Sequence, residues 1–188
     1  MDIETFERAV GDPQPKIAAW DLNVRDGRRA LSIFSLAAGG AKQVAWREVA
    51  EGAEAPLTEE LRARGLDIGG YDYFGPFVWH VAPDRVRVWD KDALVLTAEG
   101  DTLTSYNRPI ARAELTSFIA YAADDYVDRG VKVARADGRR TTVLYEISLS
   151  AQADPTYSRN ELLMSTAWCN TVAHALAEWA GVAYVDEI

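Results

Sequence analysis

The amino-acid sequence predicts an α+β protein: a mostly antiparallel, strongly bent sheet or barrel-like pair of sheets, closed by one long amphipathic helix towards its C-terminus. Three observations predict it. Apolar and polar residues alternate in steps of two over about ten short segments, which is the period of a strand. Asp-Gly pairs stand at 26–27 and 137–138 between such segments, and the two-residue hairpin turn favours these residues. Residues 158–181 change period and repeat their apolar positions at helical spacing.

The elements follow in order. Residues 2–10 read as a short helix: Asp2 caps it, Ile3, Phe6 and Val10 share a face, and Gly11 ends it. Pro13 and Pro15 make a stiff linker. Ala18, Trp20, Leu22 and Val24 then point one way, while Asp21, Asn23 and Arg25 point to water or an edge. Asp26-Gly27 turns the chain, Leu31–Leu36 returns, Gly39-Gly40 turns it again, and Val44–Val49 makes a third strand. Glutamates crowd residues 50–70, where Leu57–Arg64 makes two helical turns stopped by Gly65. From Tyr71 to Ile147 strands resume, notably Phe77–Val81, Arg85–Trp89, Ala93–Ala98, Leu115–Tyr121, Val131–Val133 and Thr141–Ile147.

The terminal helix carries its own start and stop signals. Ser158 and Glu161 form a capping box, and Tyr157 and Leu162 a hydrophobic staple. The helix runs from Arg159 to Ala180 and stops at Gly181. Leu162, Cys169, Ala173, Leu176 and Ala180 lie on one stripe, widened by Met164, Trp168, Val172 and Trp179. Asn170, Thr171, His174 and Glu178 take the wet face. So wide an arc is expected to lie across a curved sheet, plug an open barrel end, or also meet a second subunit.

Composition narrows the function. The 188 residues are 48% apolar and suit one domain, with an internal boundary at 50–70 between an N-terminal meander (1–50) and a β-rich lobe with the helix (71–188). A net charge of −9 argues against nucleic acid, whose phosphates need surplus cations. The same charge and the lack of an 18-residue apolar window argue against stable membrane association. A polar, acidic N-terminus and a single Cys make the expected location cytoplasmic. Thirty Ala and 16 Arg against 4 Lys is the bias a GC-rich bacterial genome leaves.

Strands, a basic hairpin, further strands and then a long amphipathic helix resemble the pleckstrin-homology-like superfold over about residues 75–181. The order carries the resemblance, through Arg85–Trp89, Val131–Ile147 around Asp137-Gly138, and Ser158–Gly181. It implies a binding scaffold, and such superfolds host many unrelated functions.

Several constellations invite chemistry. Asp124, Asp125 and Asp128 fall in a DDxxD string, and three carboxylates at a turn offer oxygen ligands to a hard cation; the plainer reading is a solvated acidic turn. His80, in a strand with Asp84 four residues on, is a candidate base but more simply a hydrogen-bonded structural His. Asp-Gly-Arg-Arg occurs at 26–29 and 137–140, so Arg28, Arg29, Arg139 and Arg140 crowd two hairpin tips where a phosphate headgroup would fit; arginines at turns also solubilise and protect edges. Tyr73 and Phe74, in an aromatic stretch broken by Gly70, Gly75 and Pro76, are contact anchors or a lid on the core. Cys169 on the buried stripe reads as inert packing, and His174 with Glu178 as a surface pair. No nucleophile, phosphate-loop or zinc motif is present in the sequence.

The expected function is a non-catalytic binding or protein-interaction module without a cofactor. Its expected partner is a protein or a second copy, met through the terminal helix and Trp168 or Trp179. The alternatives are a small metal-dependent hydrolase using the Asp cluster with His80, and a phosphate-headgroup binder using the Arg tips.

Overall fold

The computed structural model describes residues 2–21, 28–37, 40–74, 77–123, 128–147 and 166–188. It is α+β and rich in strands, most of them paired antiparallel. The chain divides into two compact units, Met1–Val81 with Val88–Leu94, and Ala82–Arg87 with Val95–Ile188. Among the described residues no helix is long and apolar enough to cross a membrane.

The first unit opens with α1 (Ile3–Gly11), whose cap is as expected: the Asp2 carboxylate accepts from the Thr5 amide at 2.8 Å. Phe6 and Val10 are buried, whereas Ile3 on the same stripe stays 64% exposed. Strands β1 (Lys16–Asp21), β2 (Arg28–Ala37) and β3 (Gly40–Ala50) form the anticipated meander, with Trp20 opposite Leu31 and Leu31 opposite Arg47. The predicted positions of Leu22, Asn23, Val24 and Arg25 and the Asp26-Gly27 turn lie outside the described residues. Helix α2 (Glu54–Ala63) replaces the two predicted turns and ends where expected, with Gly65 at φ 86°. Residues 50–70 lie within this unit.

The crossover through α2 returns the chain beside β1. Strand β4 (Tyr71–Phe74) runs parallel to β1, pairing Trp20 with Asp72. Strand β5 (Phe77–Ala82) is antiparallel to β4, so the order here is β3-β2-β1-β4-β5. Both faces are buried. Phe6 and Val10 of α1 and Leu57 and Leu61 of α2 pack with Ala18, Leu31, Ile33 and Ala45. Ile17, Ala19, Phe34, Ala41, Val78 and Trp89 cluster separately, with Tyr71 and Tyr73 against them. Consecutive β1 residues alternate between the two clusters, which is why Ile17, Ala18 and Ala19 are all buried.

Strands β6 (Arg85–Asp90) and β7 (Ala93–Glu99) contribute residues to both units. In the second unit β7 pairs with β8 (Thr102–Ser105) around Gly100, and β8 pairs with β9 (Arg108–Ala111). Tyr106 and Asn107 make the second turn, both at positive φ (44° and 63°). Strands β10 (Leu115–Ala122), β11 (Asp128–Arg135) and β12 (Arg140–Ile147) form a meander around the predicted Asp137-Gly138 turn, where the Gly138 amide donates to the Arg135 carbonyl at 2.9 Å. Gly130 is obligatory in β11, because a Cβ there would overlap the Leu144 carbonyl of β12.

Helix α3 (Ala167–Ala180) packs on β10 and β11 and ends at Gly181, in the left-handed region at φ 69°. Its faces divide as expected: Trp168, Cys169, Val172, Ala173, Leu176 and Trp179 are buried, while Thr171, His174 and Glu178 are exposed. The capping box, the staple, Met164 and the predicted first turns of the helix lie outside the described residues. Strands β8 and β9 were not anticipated, nor was the last element. Strand β13 (Ala183–Glu187) follows the helix and lies parallel to β10, giving an open order β12-β11-β10-β13. Its five residues mix apolar and acidic types too briefly for a periodicity to register.

Candidate functional site

The predicted site residues fall in different places. Asp124 and Asp125 lie outside the described residues. Asp128 opens β11, and its carboxylate accepts from the Tyr121 hydroxyl at 3.1 Å. Burial pushes the Tyr121 phenol well above its ordinary value, and Asp128 adds to this, so the pair is a hydrogen-bonded clamp. The Lys132 ammonium stands 3.6 Å from the centre of the same ring. Among the described residues no three His, Cys, Asp or Glu converge as metal ligands would. His80 stacks on Tyr71 with ring centres 4.6 Å apart, while the Tyr71 hydroxyl donates to Asp67 at 3.2 Å.

The arginines of the second hairpin face carboxylates. Arg139 pairs with Asp137 at 3.5 Å, Arg140 holds Glu187 at 2.9 and 3.2 Å, and Arg135 bonds Glu114. An incoming phosphate would have to displace these partners. Arg29 donates to the Asp21 carbonyl at 3.4 Å, and its guanidinium lies 5.5 Å from the Trp20 ring. The side chains of Arg28 and Phe74 lie outside what is described. Burial raises the Cys169 thiol pKa strongly, which keeps it an unreactive thiol. Trp168 and Trp179, offered above for self-association, are buried within the second unit.

Tyr73 has the most informative surroundings. Its partly buried ring lies 5.2 Å from Phe34, and burial, then the charge of Asp21, pushes its phenol pKa up. Tyr73 is opposite Asp21 and Phe34 is opposite Ile17, so the two rings approach diagonally across β1. Ala19 lies between those two β1 positions, and its small side chain leaves room for the approach. Together with Ala41 and Val78 these rings line a groove of about 350 Å³, rimmed by Lys42, Gln43, Lys91 and Asp92.

The groove is held by backbone rather than by side chains. The Ala41 amide donates to the Lys91 carbonyl at 3.0 Å. Gly40 permits that approach, since a Cβ there would overlap the Asp92 carbonyl. Lys91 itself sits at φ 50°, a conformation that disfavours a side chain and persists only where its surroundings impose it. The chain has four lysines. Lys16 bonds the Ala9 carbonyl and Lys132 covers Tyr121, whereas neither Lys42 nor Lys91 has an ion-pair partner among the described residues. Lys42 and Lys91 thus rim an aromatic floor together with Asp92, while the charge of Asp21 is felt at Tyr73.

Sequence reasoning reached Tyr73 and missed the lysines. Nothing in the sequence signals that residues 42 and 91 line one groove; Gly39-Gly40 was the available hint, and it reads equally as a plain turn. No family model, no characterised protein and no solved structure matches the chain.

Proposed function

We propose that the protein is a non-catalytic binding module, and that the groove of the first unit takes a small amphipathic anion. A carboxylate or similar group sits between Lys42 and Lys91, and an apolar or aromatic body lies over Phe34, Tyr73 and Val78. One observation carries this reading: Lys42 and Lys91, without ion-pair partners among the described residues, line one groove at the Gly40–Asp92 backbone approach, beside two aromatic rings, in a chain of net charge −9. Apolar walls with a few placed polar groups are the usual composition of a small-molecule site, and about 350 Å³ is in its size range.

The test is an NMR titration with 1-naphthoate and, as the neutral counterpart, 1-naphthalenemethanol. Naphthoate is expected to shift the amides of residues 34, 41–43, 73, 78 and 91–92. Lys42→Gln with Lys91→Gln should weaken its binding by about tenfold or more, the scale of one lost charge-assisted hydrogen bond. The neutral alcohol should bind both proteins equally and weakly. Unmoved amides at those positions, or undiminished naphthoate affinity in the double variant, would end this reading.

A further inference from the structure

The second unit holds another groove, of about 390 Å³, between the β8–β9 turn and β12. We propose that it is a separate binding site for a short saccharide. Its principal side chains are Tyr106, Arg108, Thr141, Thr142 and Tyr145.

Four large apolar side chains are exposed among the described residues: Ile3, Leu94, Tyr106 and Tyr145. Two of the four share this groove, with ring centres 5.8 Å apart. Both are held firmly. Tyr106 sits at φ 44°, an uncommon conformation for a bulky residue, and its amide donates to the Val95 carbonyl at 2.7 Å. The neighbouring Ser105 hydroxyl donates to the Val143 carbonyl of β12 at 2.6 Å and is buried, which fastens the turn to the strand that carries Tyr145. The positive φ is that of the two-residue hairpin turn, and together with the Ser105 bond it fixes where the Tyr106 ring is presented.

The geometry selects the ligand class. The rings touch each other at an interplanar angle of 43°, so they leave no slot for a flat base or aryl ring to be sandwiched. They make a two-facet apolar shelf that suits the C–H faces of successive, mutually twisted sugar rings. Thr141, Thr142, both tyrosines and Arg108 line the shelf; the Thr142 side chain hydrogen-bonds Tyr121, and Arg108 has no ion-pair partner among the described residues. Donors and acceptors are thus interleaved with apolar surface, as a ligand carrying hydroxyls on every side demands. A proline-rich peptide would match the rings but offers chiefly carbonyl acceptors. A nucleic-acid strand is opposed by the charge of −9.

The experiment uses the full chain, with maltotriose, cellotriose and chitotriose as probes at about 10 mM, where even millimolar affinity registers. Amide shifts are followed by NMR, and a proline decamer is run in parallel. At least one trisaccharide is expected to shift residues 105–108 and 141–145. Tyr145→Ala should lower that affinity at least tenfold with little change in Tm, because the side chain is exposed. Tyr106→Asn should hold or raise Tm, since Asn accepts positive φ, and yet weaken binding to a similar extent. The proposal is overturned if no trisaccharide moves these amides, if both variants bind like the parent, or if the proline decamer alone occupies the groove.

Discussion

Arg129 is 4% exposed, and a charge so enclosed depends on what surrounds it. Its Nε donates to the Glu146 carboxylate at 3.1 Å, and the Trp168 indole donates to the same oxygen at 3.2 Å, joining β11, β12 and α3 through one atom. Removing one partner of such a pair costs far more than replacing both. Glu146→Gln is therefore expected to lose about 3–5 kcal/mol in denaturant unfolding, and Arg129→Met with Glu146→Leu clearly less. Asp72 makes the opposite case. Burial holds its carboxyl above the ordinary 3.8, with Arg29 pulling the other way. A group whose folded pKa is raised binds more protons in the folded state. Its favourable contribution is therefore complete below pH 3.8 and is lost as the pH rises through the folded value. Asp72→Asn should raise Tm at pH 7 relative to the parent, and the difference should shrink towards zero as the pH falls below 4. Neither residue was singled out from sequence, because an Arg or an Asp in a strand looks the same whether it faces water or a neighbour.

At the scale of elements, α1 is nine residues long, shorter than the ~12–15 that a helix needs to persist unaided in water. It stands because Phe6 and Val10 are buried against β1, β2 and β3. Phe6→Ala should cost about 3–5 kcal/mol and bring amide exchange in residues 3–11 close to unprotected rates. This helix was legible, since Asp2, the Phe6–Val10 spacing and Gly11 are all local signals. So were β1 to β3, α2, the Asp137-Gly138 hairpin and the end of α3 at Gly181, each marked by period or by turn chemistry. Strands β8, β9 and β13 and the parallel placement of β4 were not. Alternation marks a strand, but nothing within Tyr71–Phe74 or Ala183–Glu187 names its neighbour. The grooves failed for a related reason: Lys42 and Lys91 line one groove, and Tyr106 and Tyr145 another, through approaches between segments far apart in sequence that are not neighbours in a sheet.

For the molecule as a whole, those two parallel pairings govern how the chain reaches its native state. Hairpins close short loops, so β1–β2–β3 and β10–β11–β12 are expected to zip early. β4 joins β1 only after β2, β3 and α2 have been looped out, and β13 joins β10 only after β11, β12 and α3 have been. Pulse-labelled refolding should accordingly show protection in two waves, with residues 71–74 and 183–187 in the later one. Between the waves β1 and β10 each present a bare row of amides and carbonyls, a template on which another chain can dock. Concentrated refolding is thus where this protein is most exposed to aggregation, and a peptide copying Ala183–Glu187, added in excess, should compete for that row and suppress the loss.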